Sequence, residues 1–113
     1  EVGVPQFEND PDVKAFEAFR QKYLPNVDRD NTIAFAGYGQ VVTMAEILRR
    51  CGDDLTRENV LKQAASLNGF HSPYMLDGVT YSFTPDDYTP MKTLYISIFN
   101  GKDWDIVGKP YSE

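Results

Sequence analysis

Side chains capable of nucleophilic or metal chemistry are few in this chain. His71 is the only histidine and Cys51 is the only cysteine. A single histidine provides no pair of imidazole ligands for a metal, and a single cysteine permits neither an internal disulfide nor a cysteine cage. Cys51 also stands where a helix should end, and the helix dipole disfavours a thiolate there. We therefore predict no catalytic residue, no metal site and no cofactor.

Acidic residues that could act as general acids and bases occur as three pairs: Asp53 with Asp54, Asp86 with Asp87, and Asp103 with Asp105. All three pairs fall in predicted turns or beside a predicted hairpin. Aspartate is favoured in turns because its carboxylate accepts hydrogen bonds from nearby backbone N–H groups. The pairs thus indicate turns, and we predict that the chain is not an enzyme.

Two short motifs resemble ligand loops but lack residues that those loops require. Gly37-Tyr38-Gly39 resembles the start of a dinucleotide fingerprint, yet Val42 replaces its third glycine and no strand precedes it. Asp28 and Asp30 imitate the opening of a calcium loop, but Ile33 occupies the position of the turn glycine. Neither motif predicts a bound ligand.

The composition is typical of a globular domain, with 42% hydrophobic and 25% charged residues in 113. The formal net charge is -6. Because phosphate binding requires clustered lysine and arginine, this charge argues against a nucleic-acid partner. No apolar run reaches the roughly 18 residues that a membrane span needs.

Capping signals predict three helices, each beginning at a side chain that can accept a backbone hydrogen bond. The predicted boundaries are Asp10 to Pro25, Asn31 or Thr32 to Cys51, and Thr56 to Gly69. In the second helix only Gln40 and Thr43 are distinctly polar over residues 33–45, so it is apolar nearly all round and should be deeply buried.

An alternating pattern after the third helix predicts three short strands, at residues 79–83, 94–98 and 104–107. Asn100-Gly101 is a strong hairpin signal and should join the last two strands. The predicted order is three helices followed by three strands. Helices with apolar faces normally pack against a sheet, and these three short strands form too small a sheet for three such helices.

Several segments together carry a resemblance to a known family. They are residues 38–42, residues 50–60 with the run Leu-Thr-Arg-Glu-Asn, residues 99–104 with the following Val107-Gly108, and the Phe-x-x-x-Tyr helix before Pro25. Over nearly its whole length the chain resembles the C-terminal portion of the leucine/isoleucine/valine-binding family. Members of that family are periplasmic solute-binding proteins of ABC transporters.

This resemblance implies an α/β parent fold, the type I periplasmic-binding-protein clamshell, in which two lobes close on a small molecule. The chain would be a partial lobe. Residues 1–94 would form the C-terminal part of the first lobe, and residues 95–113 the hinge crossing and terminal hairpin of the second. The parallel strands that the helices should cover would lie in a preceding segment.

The resemblance also implies that the start of the second helix faces the ligand. Ile33 is the first candidate for a ligand contact, although family members often carry an aromatic residue there, and Phe35 and Tyr38 follow. The ligand would be an amino acid or a related aromatic or aliphatic acid, delivered to an ABC permease. The implied location is the periplasm, or the extracellular side with a membrane tether.

Two other hypotheses remain open. The chain could be a stand-alone interaction domain derived from such a protein, forming a homo-oligomer through its uncovered apolar helix, since large apolar patches rarely stay open to water. An enzyme is the third hypothesis, and no group of residues in the sequence supports it.

Overall fold

A computed structural model describes residues 4–84 and 86–112. After a 3-10 turn at Pro5–Phe7, the helices are α1 (Pro11–Tyr23), α2 (Thr32–Cys51) and α3 (Arg57–Ala65), and the strands are β1 (Thr93–Phe99) and β2 (Trp104–Ser112). The class is α+β, with three helices followed by an antiparallel hairpin. In the described ranges this hairpin is the only sheet, so they contain no clamshell lobe with a parallel sheet.

The helices begin where the capping signals predict. In each case the side chain before the helix accepts a backbone N–H: Asp10 Oδ1 from Asp12 at 2.8 Å, Asn31 Oδ1 from Ala34 at 2.9 Å, and Thr56 Oγ1 from Asn59 at 3.4 Å. Gly52, in the left-handed region at φ 59°, follows α2. The end of α3 was predicted too late, because Ser66 already bonds to the Gln63 carbonyl and closes the helix.

The strand predicted at residues 79–83 is wrong, because Tyr81 makes only an isolated bridge with Phe70. Tyr81 and Phe83 donate to one neighbouring segment, at Phe70 (2.7 Å) and Leu67 (2.8 Å), and Ser82 between them donates to Pro90 at 2.9 Å. A regular antiparallel ladder advances by two residues on both chains. Here a step of two residues from Tyr81 to Phe83 faces a step of three from Phe70 to Leu67, so the pairing does not continue beyond one bridge.

The hairpin predicted at Asn100-Gly101 is confirmed. The Asn100 side chain accepts hydrogen bonds from the backbone of Lys102 at 2.9 Å and of Asp103 at 2.8 Å, which builds a four-residue loop. Gly101 takes a φ of 100°, a value that a residue with a Cβ rarely adopts. The second strand, β2, extends to Ser112, beyond the predicted end at Val107.

The chain divides into two compact units. The first comprises residues up to Glu46 together with Ser72–Tyr74, and the second comprises Ile47–His71 with the residues from Met75 onward. The core of the first unit is a cluster of Val13, Phe16 and Phe35, with half-buried aromatic residues packed around it. In the second unit the buried apolar residues are Ile47, Cys51, Leu67, Met75 and Val79.

Within the first unit, the backbone of α2 approaches Ser72–Tyr74 closely. Ser72 is fully buried, and its hydroxyl donates to the Gly39 carbonyl at 3.0 Å. The Thr43 hydroxyl lies 3.0 Å from that of Ser72. A Cβ on Gly39 would overlap the ring of Tyr74, so the glycine permits this contact. These polar groups are satisfied by one another, which removes the cost of burying them.

The prediction that α2 is deeply buried all round is wrong for one side. Phe35 and Gly39 are buried, whereas Ile33 is 83% exposed and Val41 is 69% exposed. The reason is that the described residues cover this helix only in part. They bury Phe35 and Gly39 and, near its end, Ile47 and Cys51, whereas Ile33, Gly37, Val41 and Met44 are exposed.

A salt bridge on α1 gives an expected pH dependence. Glu17 accepts two hydrogen bonds from Arg20, at 2.8 and 2.9 Å, and one from Gln21, and these bonds lower the pKa of Glu17 from 4.5 to about 2. Because the folded-state pKa is depressed, the stabilisation is complete above the unfolded value and is lost as pH falls through about 2. Arg20 also donates to the Val27 carbonyl at 2.7 Å.

We therefore expect Glu17→Gln to lower the melting temperature slightly at neutral pH, with a gap from wild type that closes as pH falls below 4.5 toward 2. Circular-dichroism melting at a series of pH values measures this gap. Asp86→Asn, at an exposed turn position, is the control. A gap that stays constant, or widens in acid, would contradict the assignment.

Candidate functional site

The best candidate for a binding surface is an exposed apolar strip along α2, called here the α2 stripe. Its members are Ile33, Gly37, Val41, Met44 and Leu48. At about 100° of rotation per residue they fall within an arc of about 80°, and all five are exposed. The first charged residue of α2 is Glu46, so most of the stripe lies on an uncharged stretch. Such a strip is suited to contact with another apolar surface.

An apolar groove, called here the α1–α2 groove, runs beside the stripe in the first unit. It is lined by Phe19, Leu24, Ala34, Gly37, Tyr38, Val41, Val42 and Ala45. None of these residues is charged, and the Tyr38 hydroxyl is the only polar side-chain group among them. The groove can hold an aliphatic or aromatic group by excluding water, but it has no cation to neutralise a carboxylate.

The three ligand contacts predicted from the sequence take different positions around α2. Ile33 is open to solvent and belongs to the stripe. Phe35 is buried in the core of the first unit, with its ring centroid 5.0 Å from that of Phe16. Tyr38 is half-buried, packs on Phe16 and Phe19 at 5.6 and 5.1 Å, and lines the groove. Ile33 and Tyr38 are thus available at the surface, whereas Phe35 serves the core.

Residues of the α2 stripe beyond Ile33 were not singled out from the sequence. No atom lies within 4 Å of where a Cβ of Gly37 would stand, whereas a Cβ on Gly39, two residues later, would overlap the ring of Tyr74. The spacing of four, four, three and four residues between stripe members is the signal that marks them as one face.

A second exposed apolar surface belongs to the hairpin. Leu94 pairs with Tyr111, and Ile96 pairs with Val107, and directly paired residues share one side of a sheet. All four residues, and Ile98, are exposed. A two-stranded hairpin with an open apolar side is marginally stable by itself, because stable small sheets need a further strand or a helix against that side.

The acidic residues form turns, as predicted. Asp54 accepts bonds from the Thr56 hydroxyl at 2.7 Å and the Thr56 backbone at 3.1 Å, which lower its pKa. Asp87 accepts a bond from Lys92 at 2.6 Å and one from the Thr89 backbone at 2.8 Å, which lower its pKa as well. Both carboxylates therefore stay ionised at neutral pH and bind nearby backbone and cationic groups.

The remaining reactive side chains are dispersed. His71 Nδ1 lies 3.0 Å from the Val79 carbonyl, and Cys51 is buried. In the part of the chain that the structure describes, no group of three or more His, Cys, Asp or Glu side chains could hold a metal ion. None of the helices in residues 4–84 and 86–112 combines the length and the hydrophobicity that a bilayer span requires.

The chain was compared with known proteins in three ways. No protein-family model matches it, and no curated protein sequence or solved structure is significantly similar to it.

Proposed function

We propose that this chain is the C-terminal portion of the substrate-binding component of an ABC transporter, of the leucine/isoleucine/valine-binding type. In this proposal a longer polypeptide binds an amino acid, or a related small carboxylate-bearing molecule, between two lobes and performs no catalysis. The resemblance of residues 38–42, 50–60 and 99–104 to that family supports the proposal.

The exposed α2 stripe is the observation that carries it. Burying a large aliphatic side chain stabilises a protein by about 1.5–3 kcal/mol, so an open row of such side chains forgoes several such contributions. A helix with apolar residues on opposite sides is typical of an element packed between a sheet and other helices. A sheet from a preceding segment would cover Val41, Met44 and Leu48 of the stripe and turn the helices into one layer of an α/β lobe, with Ile33 at the N-terminal end of the stripe left for the ligand.

The hairpin supports the same proposal independently. Leu94, Ile96 and Ile98 are exposed along one strand, and Tyr111 and Val107 pair with two of them. In a two-lobed protein this side would pack in the second lobe. In this proposal a longer polypeptide would cover both apolar surfaces, the one on α2 and the one on the hairpin.

The chemistry of the α1–α2 groove and of Ile33 suggests the part of the ligand that this chain would contact. Both offer apolar contact and no charge. A ligand with an aliphatic or aromatic side chain would meet these residues, while its carboxylate would need donors from another segment. Branched-chain and aromatic amino acids, and the corresponding acids, combine an apolar side chain with a carboxylate in this way. The partner would be an ABC permease, and the location the periplasm or the outer membrane face with a tether.

The test uses the polypeptide encoded by this reading frame together with the sequence upstream of Glu1. We expect at least one compound in a panel of amino acids and aromatic or aliphatic acids to raise its melting temperature. Ile33→Ala removes three carbons from the proposed contact, and at about 0.8 kcal/mol per CH₂ it should weaken binding of that compound by at least tenfold.

Leu61→Ala is the matched control, because Leu61 is a helical aliphatic residue that is 58% exposed on α3. It should leave the affinity unchanged. A longer polypeptide that responds to no compound of the panel would contradict the proposed function. Equal losses from Ile33→Ala and Leu61→Ala would remove Ile33 from the ligand contact.

A further inference from the structure

Independently of the proposed function, we propose that Asn68–Gly69 is a self-modification site, at which the chain converts its own asparagine through a succinimide with Ser82 as the proton relay. The sequence contains two Asn-Gly pairs, Asn68–Gly69 and Asn100–Gly101. An asparagine followed by glycine is prone to this reaction, because no Cβ hinders the approach of the glycine nitrogen to the side-chain amide. The structure distinguishes the two pairs.

The backbone holds Ser82 opposite Asn68 and Gly69. The segments 67–70 and 81–83 lie beside each other and are joined at both ends by backbone hydrogen bonds of 2.7 to 3.0 Å. Between these bonds two residues, Asn68 and Gly69, face the single residue Ser82, as in a β-bulge. Gly69 has a φ of 65°, in the left-handed region that glycine tolerates. The position of Ser82 is therefore set by the backbone on either side of it.

The Ser82 hydroxyl connects the two groups that would react. It accepts a hydrogen bond from the Gly69 N–H at 3.0 Å and donates one to Asn68 Oδ1 at 3.2 Å. The Gly69 nitrogen is the nucleophile and must lose its proton, while Oδ1 gains negative charge as Cγ is attacked. A general acid or base acts within about 2.6–3.2 Å of its partner atom. One hydroxyl is thus placed to receive the first proton and to supply the second.

The reaction proceeds in two stages. A bond forms between Gly69 N and Asn68 Cγ while the proton of the nitrogen passes to Ser82 Oγ and the Ser82 proton passes to Oδ1, so the intermediate is neutral. The Cγ–Nδ2 bond then breaks, the Oδ1 proton moves to the departing nitrogen, and ammonia leaves a five-membered imide. Water opens the imide at either carbonyl and gives aspartate or isoaspartate at position 68. Both residues are exposed, so water reaches the imide.

The side chain of Asn100 is held in a different way. Its Oδ1 accepts hydrogen bonds from the backbone of Lys102 and Asp103, and its Nδ2 donates to the Asp105 carboxylate at 3.0 Å. Attack by the Gly101 nitrogen would disrupt these three bonds, and the Asp105 charge opposes the negative charge that develops on the amide. The folded hairpin should therefore protect Asn100.

Conversion would alter the second unit beside its core. Leu67, the residue before Asn68, is 1% exposed, and its carbonyl accepts the Phe83 N–H at 2.8 Å. The isoaspartyl product lengthens the main chain by one carbon at this point, and both products add one negative charge. The modification would thus be a slow, irreversible loosening of this segment.

Peptide mapping by mass spectrometry tests the site on the 113-residue chain incubated at mildly alkaline pH. We expect the folded chain to convert Asn68 about tenfold faster than Asn100, or more, because Ser82 supplies general acid–base catalysis at Asn68. In concentrated urea the two sites should convert at similar rates, since neither keeps its folded contacts. Equal rates in the folded chain, or a faster rate at Asn100, would overturn the proposal.

Ser82→Ala tests the relay. It removes the hydroxyl and should slow conversion at Asn68 by about tenfold or more, whereas Asn100 in the same sample should be unaffected. Ser82→Thr retains a hydroxyl and should keep most of the rate, with far-UV circular dichroism confirming the fold of both variants. Unchanged or faster conversion in Ser82→Ala, or equal slowing by both substitutions, would overturn the role of Ser82. The comparison of Asn68 with Asn100 needs no substitution, so it stands even where a variant does not fold.

Discussion

Replacing Phe16 with alanine is expected to destabilise the first unit by about 3–5 kcal/mol, the usual cost of removing a buried phenylalanine. The Phe16 side chain has no exposed surface, and its ring lies 5.0 Å from Phe35 and 5.6 Å from Tyr38, centroid to centroid. Whole domains have about 5–15 kcal/mol of stability, and a unit this small lies at the low end. The variant should therefore be largely unfolded in this unit at room temperature.

Urea unfolding followed by far-UV circular dichroism measures the effect. Tyr23→Ala is the matched control on the same helix, because Tyr23 is 58% exposed and should cost less than about 1 kcal/mol. The loss in Phe16→Ala should appear as missing helix signal in the absence of urea. A Phe16→Ala chain with the helix content and unfolding midpoint of wild type would contradict the described core.

Two glycines of α2, two residues apart, are expected to respond oppositely to alanine. At Gly39 a Cβ would stand 3.0 Å from Cγ and 3.1 Å from Cβ of Tyr74 and would overlap a further ring carbon. Overpacking costs about 1–3 kcal/mol, more than the gain in helix propensity of about 1 kcal/mol. At Gly37 nothing obstructs the new atom, so the propensity gain should stabilise the chain by about 0.5–1 kcal/mol.

The difference in unfolding free energy between Gly39→Ala and Gly37→Ala measures this asymmetry, and each variant is the control for the other. Removing the obstruction should remove the penalty, so Gly39→Ala should cost less in a Tyr74→Ala background than in wild type. Equal stabilisation by both substitutions would show that α2 does not approach Ser72–Tyr74 as described.

The helix starts could be predicted because the contacts that create them are local. Asp10, Asn31 and Thr56 each bond to a backbone N–H two or three residues ahead, and such spacing is visible in a sequence. The hairpin loop was predictable for the same reason, since Asn100 binds the backbone of the next residues.

The strand predicted at residues 79–83 is absent because strand pairing depends on residues that are distant in the sequence. Alternation of apolar side chains constrains which side each residue faces, but it does not identify a partner strand. Tyr81 and Phe83 bond to Phe70 and Leu67, and Ser82 bonds to Pro90, and an alternating pattern does not identify these partners.

The candidate surface was predictable in chemistry but not in position. The apolar character of α2 was evident from its sequence, and it led to an expectation of full burial. Which side would be covered depends on the partners present, here the aromatic residues of α1 and the Ser72–Tyr74 segment. For the same reason Phe35, predicted beside Ile33 as a ligand contact, lies on another side of the helix and packs on Phe16.

The α2 stripe is the physical basis of the proposed function. Ile33, Val41, Met44 and Leu48 form an exposed apolar row beside the empty space at Gly37. A sheet from a longer polypeptide would cover Val41, Met44 and Leu48 in a solute-binding protein.

Isothermal titration calorimetry tests the proposed function most directly. The compound that raises the melting temperature in the panel is titrated into the longer polypeptide and, in parallel, into the 113-residue chain. We expect saturable binding at one site in the longer polypeptide and no measurable binding in the chain alone, because the α1–α2 groove and Ile33 offer only apolar contact. Equal affinity in both, or binding in neither, would contradict a ligand site shared between two lobes.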